Sequence, residues 1–202
     1  MSCWALIALK TAASAKGRLS ETLPAEQRIR LVHLMFEQVL DALRAARHID
    51  GIAVVTTDPM NASDILCISD PGGGLNAALT QGAATLAERG VDEILLLHAD
   101  LPLATPEEID TLIQAGRTHG LALATDKLGQ GTNALYAPLP LTLPLRFGIG
   151  SCQQHQNEAT RQHRTIEKLT LPGLAFDIDE PQDLQRLSVI SPQRYADIRT
   201  KS

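Results

Sequence analysis

The sequence is short of cysteine, and its three thiols, Cys3, Cys67 and Cys152, lie far apart with no C-x-x-C pairing. That excludes a zinc or thiol-exchange motif and leaves them as core or incidental groups. Positive charge is also scarce. Eighteen Lys and Arg face 23 Asp and Glu for a net charge of -5, so the surface repels a polyanion and nucleic acid is not an expected partner. No run approaches the roughly 18 uninterrupted apolar residues of a membrane span, and the first ten residues lack a basic leader followed by an apolar stretch. A cytoplasmic location with no membrane partner is expected. Four signatures are missing as well: G-x-G-x-x-G, a phosphate loop ending in Gly-Lys-Ser/Thr, a G-x-S-x-G elbow, and a His/Asp/Ser order fit for a hydrolytic triad. A dinucleotide fold, a phosphate-loop NTPase and a triad hydrolase are therefore unsupported. Neither a repeat period nor a low-complexity tract is present.

What the 202 residues do contain is 44% apolar side chains, enough for one well-buried core, so a single domain spanning 1–202 is the expectation. Short apolar runs alternate with helical periodicity. Trp4 to Leu9 reads as a buried strand opening into a small, basic loop. Ile29, Val32, Phe36, Val39 and Leu43 repeat at helical spacing, with Pro24 tolerated near the first turn. Ile52 to Thr56 and Ile65 to Ser69 read as strands, and Asn76 to Glu88 as a helix entered through Gly72, Gly73 and Gly74. Ile94 to Leu97 is the clearest central strand. Thr105, Pro106 and Glu108 carry a capping signature, in which Glu108 can reach back to Thr105, and predict a helix running toward Gly116. Leu121 to Ala124 and Ala134 to Ala137 read as further strands, followed by a loop over Pro138 to Pro144. Ser151 with Gln154, and Asp179 with Gln182, have capping-box spacing and predict two more helix starts. Alternation of this kind predicts an α/β fold, a Rossmann-like three-layer sandwich with helices on both faces of a mostly parallel sheet.

In such a sheet ligands collect outside the carboxyl ends of the strands, so strand positions point to site residues. Lys10, Lys16 and Arg18 follow the first strand, Asp58 and the glycine triplet follow later ones, His98 and Asp100 follow the central one, and Asp177 and Asp179 follow the apolar Leu174 to Phe176. Carboxylates in those places are costly to desolvate unless cations or donors compensate them, and Mg2+ prefers hard oxygen ligands. Asp177 and Asp179 share a side if their segment is extended. Equally, Asp179 could cap a helix while Asp177 pairs with a base. The glycine triplet ahead of Asn76 could expose amides to an anion or a base edge, or serve only to turn the chain. A second polar turn comprises Gly129, Gly131, Thr132 and Asn133. A third, Phe147 to Ser151, brings Gly148 and Ser151 to a helix start, where they could receive a phosphate or carboxylate or simply cap the helix. Lys16 and Arg18 suit polyphosphate, Arg146 offers a fork for an anion, and His98 could touch a substrate or remain a neutral imidazole near a strand end.

The ordered motifs WALIALK through AKGRLS, DPGGGLNAAL, HADLP, GQGTNAL, FGIGS and LAFDIDEPQDL together resemble the phosphoenolpyruvate, phospholactate or phosphoglycerate guanylyltransferases of coenzyme F(420) biosynthesis, a branch of the MobA-like nucleotidyltransferases. The resemblance runs from about Trp4 to Leu187. One departure is the short stretch from Pro59 to Ser69 between Asp58 and Asp70, longer in that family. The resemblance implies a fold of the nucleotide-diphospho-sugar transferase type. It also implies attack by a phosphate oxygen of a small phosphorylated carboxylic acid on the α-phosphorus of GTP, with release of pyrophosphate. Carried onto this chain, it implies Asp100, Asp177 and Asp179 as ligands of Mg2+, with Lys16 and Asp100 catalytic. Lys10, Lys16, Arg18, Gly73, Gly74 and Asn76 would hold the nucleotide, and Thr132, Gly148, Ser151 and Arg146 the acid. GTP and a three-carbon phosphorylated acid are the expected partners; hand-over to a downstream transferase and pairing into a homodimer stay open. A pterin or sugar phosphate as acceptor, within the same fold, and a non-catalytic nucleotide-binding protein are the competing readings.

Overall fold

The computed structural model describes residues 1–9, 16–58, 60 and 62–198. Its sheet has seven strands: β1 (Cys3–Leu9), β2 (Gly51–Thr56), β3 (Ile65–Ser69), β4 (Glu93–Leu97), β5 (Ala122–Thr125), β6 (Thr132–Pro138) and β7 (Glu167–Leu169). Among the described residues five α-helices accompany it: α1 (Ala25–Ala45), α2 (Leu75–Glu88), α3 (Pro106–His119), α4 (Ser151–Arg161) and α5 (Pro181–Ile190). The strand order is β3-β2-β1-β4-β6-β5-β7. All neighbours pair in parallel except at β6, which runs antiparallel to both β4 and β5. The expected α/β sandwich with a mostly parallel sheet is the one observed.

The two-faced burial follows from strand periodicity. Along β1, Ala5 and Ile7 enter one apolar cluster with Phe36, Val39 and Leu43 of α1 and Leu112 of α3, while the intervening Leu6 enters another with Leu79, Ala83 and Leu86 of α2. On β4, Leu95 and Leu97 join the first and Ile94 and Leu96 the second. A third cluster, holding Leu19, Leu23, Leu31, Met35, Ile178, Leu184 and Leu187, ties the segment after β1 to α1 and α5. This cluster is what carries residues near the two ends of the chain to a single place.

Several local readings shift by small steps. Thr105 caps α3 by accepting from the Glu108 amide, as its spacing predicts. The Glu108 carboxylate, however, does not reach back; it accepts from the amides of Gly173 (2.8 Å) and Leu174 (3.1 Å) and so anchors a distant loop. Ser151 is the first residue of α4, capped by Gly150 rather than by a Ser151–Gln154 box. The capping box of α5 is Glu180 with Asp183, one residue beyond the Asp179–Gln182 pair, because Pro181 fits the first helical position, where its missing amide costs nothing. The segment around Leu174 is a turn, not a strand, and β7 is a strand that the apolar pattern does not announce.

Candidate active site

The chain lays β1, β2 and β3 outward in one direction, then returns to place β4 on the other side of β1. The β1/β4 boundary is thus a switch point, where loops leaving the two strands diverge and open a crevice beyond their carboxyl ends. Lys16 follows β1 and Asp100 follows β4. Since β6 is antiparallel, its first residues, Thr132 and Asn133, come to the same edge, and the Asn133 carbonyl accepts from the His98 amide at 3.0 Å. A cleft of about 880 Å³ lies there, its lining drawn from Arg18, Leu75, residues 98–100, 126–133, 148–151 and 177–186.

The ammonium of Lys16 lies between two carboxylates that line the cleft, 2.5 Å from Asp100 Oδ2 and 3.1 Å from Asp179 Oδ1. Only 8% of the Lys16 side chain is exposed, against 30% for Asp100 and 48% for Asp179, so a buried cation meets carboxylates that solvent still reaches. Burial pulls the Lys16 ammonium downward, but the charges of Asp100 and Asp179 outweigh it and hold the group above its ordinary value. Burial likewise favours the neutral form of Asp100; the charge of Lys16 reverses this, and the Asp100 carboxyl sits below the ordinary range. Asp177 differs: burial, then the charges of Asp179 and Asp100, push its carboxyl up. Its Oδ1 is a buried oxygen with no hydrogen-bond partner among the described residues.

The loop bearing Asp177 and Asp179 is held from three sides. Glu108 grips the amides of Gly173 and Leu174, the Asn133 side chain donates to the Leu174 carbonyl at 3.0 Å, and Asp183 accepts from the amides of Asp179 and Glu180. Lys127 in turn pairs with Asp183. Burial works against the Asp183 charge, but the Lys127 and backbone donors prevail and lower it. Lys127, Asp183 and Arg186 are cleft residues that motif reading passes over. Lys127 stood within reach of the strand-end rule, since it comes two residues after β5.

Across the cleft, Thr132, Gly148 and Ser151 share the lining. The Thr132 amide donates to Ser151 Oγ at 2.8 Å, and Thr132 Oγ1 lies 3.0 Å from His155 Nδ1. Gly148 (φ 130°) and Gly150 (φ 67°) hold backbone conformations that side chains resist, which delivers Ser151 to the start of α4. The glycine turn at 72–74 also has positive φ throughout, and its residues are exposed.

The Asn76 side chain closes on the backbone of Phe147, donating to its carbonyl (3.0 Å) and accepting from its amide (2.8 Å). Arg146 is not part of the cleft lining; its guanidinium bonds Glu158 at 3.1 to 3.2 Å. Among the described residues no group of three or more His, Cys, Asp or Glu forms a ready-made metal cage, and the Lys16 ammonium lies between Asp100 and Asp179. Lys10 lies outside the described residues.

A family model described as "Guanylyl transferase CofC like" matches residues 3–197. The chain belongs to this guanylyl transferase family. It is accordingly a nucleotidyltransferase enzyme. A phosphoenolpyruvate guanylyltransferase of Sphaerobacter thermophilus is 36% identical over 197 residues, covering 95% of each chain. One from Conexibacter woesei is 32% identical over 202 residues, covering 96% of this chain and 91% of its own. Among solved structures, a protein described as a nucleotide-diphospho-sugar transferase from Desulfovibrio desulfuricans G20 superposes with a TM-score of 0.78 over 97% of this chain and 94% of its own. At 16% identity that likeness speaks for the fold alone. No helix among the described residues is long and apolar enough to cross a membrane.

Proposed function

We propose that this guanylyl transferase family member couples GTP to phosphoenolpyruvate, in coenzyme F(420) biosynthesis, and does so with magnesium. The observation that carries the reading is that one cleft gathers two chemically distinct sets of groups. One set is Asp100, Asp177 and Asp179, with Lys16 paired to Asp100 and Asp179; the other is the Thr132 and Ser151 hydroxyls with the positive-φ Gly148. The names of the curated relatives point to the same pair of substrates.

The donor set fits magnesium. Asp100, Asp126, Asp177, Asp179, Glu180 and Asp183 line the cleft against Arg18, Lys127 and Arg186, an acidic surplus that by itself would repel a triphosphate. Asp177 also presents an oxygen without a partner among the described residues. A protein cage is not needed, since magnesium is commonly held by one or two carboxylates together with substrate phosphates. Asp100, Asp177 and Asp179 would hold it, and when bound it would neutralise charge where the two anionic substrates meet.

The chain's own groups do the rest. Lys16 supplies a buried cation that can turn from its carboxylates to phosphate oxygens as they arrive, offsetting charge that develops on the departing pyrophosphate. Thr132 and Ser151 orient the acid so that a phosphate oxygen faces the α-phosphorus of GTP. That oxygen forms the new bond to phosphorus, the bond from the α-phosphorus to the bridging oxygen of the β-phosphate breaks, and the electron pair leaves with pyrophosphate. The nucleophile is already an anion at neutral pH, so no base and no covalent enzyme intermediate are required.

Purified protein with GTP, magnesium and phosphoenolpyruvate is expected to release pyrophosphate, with 3-phosphoglycerate and 2-phospholactate assayed in parallel. Greater release with one of these two would reassign the acid. Folded protein that releases pyrophosphate with none of the three overturns the reading.

A further inference from the structure

His155 takes no part in the transfer itself, yet it is fully buried on α4 and bonds both the Arg146 backbone and the Thr132 hydroxyl. Its Nε2 lies 2.9 Å from the backbone nitrogen of Arg146. A peptide N–H can only donate, so Nε2 is the unprotonated acceptor. A neutral imidazole then carries its proton on Nδ1, and the partner there is Thr132 Oγ1 at 3.0 Å. The Thr132 hydroxyl therefore accepts from His155. Ser151 Oγ, in parallel, accepts from the Thr132 amide. Among the described residues neither hydroxyl donates to a protein acceptor, so both retain a proton for the cleft that they line.

We propose that His155 is a positioning residue: by donating Nδ1–H to Thr132 it forces the Thr132 hydroxyl to act as a donor toward an anionic oxygen of the acceptor acid. This role rests on the assignment of the acid to the Thr132–Ser151 pair. A hydroxyl left without that donor could rotate and present a lone pair to the same oxygen, turning an attraction into a repulsion. One further contact fixes the imidazole: its ring meets Phe147 edge-on with centroids 5.1 Å apart, and the Phe147 backbone is itself held by Asn76. Burial, followed by the nearby Arg146 charge, keeps the ring neutral, which the single-proton logic requires.

The two nitrogens can be tested separately. In His155→Gln the side-chain oxygen can replace Nε2 as acceptor for the Arg146 amide but nothing donates to Thr132. In His155→Asn the amide nitrogen can replace Nδ1 as donor to Thr132 but the Arg146 link is lost. With GTP and phosphoenolpyruvate, His155→Gln is expected to raise KM for the acid about tenfold, with KM for GTP and Tm little changed. His155→Asn is expected to lower Tm and leave the acid KM near its original value. Thr132→Val should raise the acid KM at least as far as His155→Gln, and the double variant should be no worse than Thr132→Val alone. Equal increases in acid KM for both His155 variants, tracking their loss of Tm, would overturn the role. So would full multiplication of the His155→Gln and Thr132→Val effects. Should His155→Gln not fold, His155→Asn carries the decision, since an acid KM as high as that of Thr132→Val is incompatible with a preserved donor. If Thr132→Val leaves the acid KM unchanged, the acid-binding assignment itself fails, an outcome distinct from failure of His155 alone.

Discussion

The side-chain amide of Asn76 clasps Phe147 through both of its atoms, joining the first turn of α2, just past the glycine turn, to the loop that leads into Ser151. Two turns that are 71 residues apart in sequence thus behave as one structural unit. Asn76→Ala would leave the Phe147 amide and carbonyl unpaired at a partly buried position, with an expected loss on the order of 2 kcal/mol. Steady-state kinetics should show KM rising for both substrates, since both turns are released. Asn76→Asp keeps the acceptor for the Phe147 amide and should lose less; equal loss in thermal unfolding of the two variants would show that the carbonyl contact alone matters.

Asp100 and Asp177 make opposite contributions to stability. Asp100 neutralises the buried Lys16, so Asp100→Asn should lower Tm. Asp177 carries a charge that burial and two neighbouring carboxylates disfavour, so Asp177→Asn should raise Tm. Both should reduce magnesium-supported turnover about a hundredfold or more, the scale of losing one preorganised electrostatic group. Calorimetry of the two variants beside magnesium titrations of their turnover checks the pair of signs, and removal of magnesium by a chelator should abolish the activity of the unaltered protein.

His155 gives the fold a defined pH dependence. Burial and the charge of Arg146 lower its pKa to about 4, against 6.5 for an ordinary histidine. Between these values the unfolded chain binds a proton that the folded chain refuses, so stability rises with pH across that window. The contribution is complete above about pH 6.5 and is lost as pH falls toward 4, by roughly 3 kcal/mol in total. Urea unfolding at a series of pH values should show this slope, and His155→Gln should remove that part of it while other carboxylate titrations persist.

Gly173 marks a close approach of backbones. A methyl group there would overlap the Leu103 carbonyl and the Glu108 carboxylate, the same carboxylate that accepts from the Gly173 and Leu174 amides. Gly173→Ala should therefore cost about 1–3 kcal/mol and displace the loop that carries Asp177 and Asp179. Turnover should fall although no substrate contact is altered, and a fully active variant with unchanged Tm would show that the loop yields freely.

Much of this molecule is written in short-range patterns. β3 covers Ile65–Ser69 as its sequence predicts, β1 and the Ile94–Leu97 part of β4 show their two-sided burial in unbroken apolar stretches, and Thr105 caps α3 through a residue three places away. β7 escapes such reading because Glu167, Lys168 and Leu169 carry no apolar pattern; backbone pairing with β5 makes it a strand. The start of α5 is misplaced by one residue because several acidic and amide side chains compete for it locally, and Pro181 resolves the choice.

The sequence by itself determined the alternation of strands and helices, the positions of the glycine turns and the presence of carboxylates after apolar segments, because each depends on residues a few positions apart. Only the tertiary structure decided that Lys16 meets Asp179 across 163 positions, that Asn76 serves Phe147, and that Arg146 turns to Glu158 outside the cleft. Those partnerships arise from how the apolar clusters fold the chain back on itself, and a polar side chain takes whichever partner that packing leaves within about 3 Å.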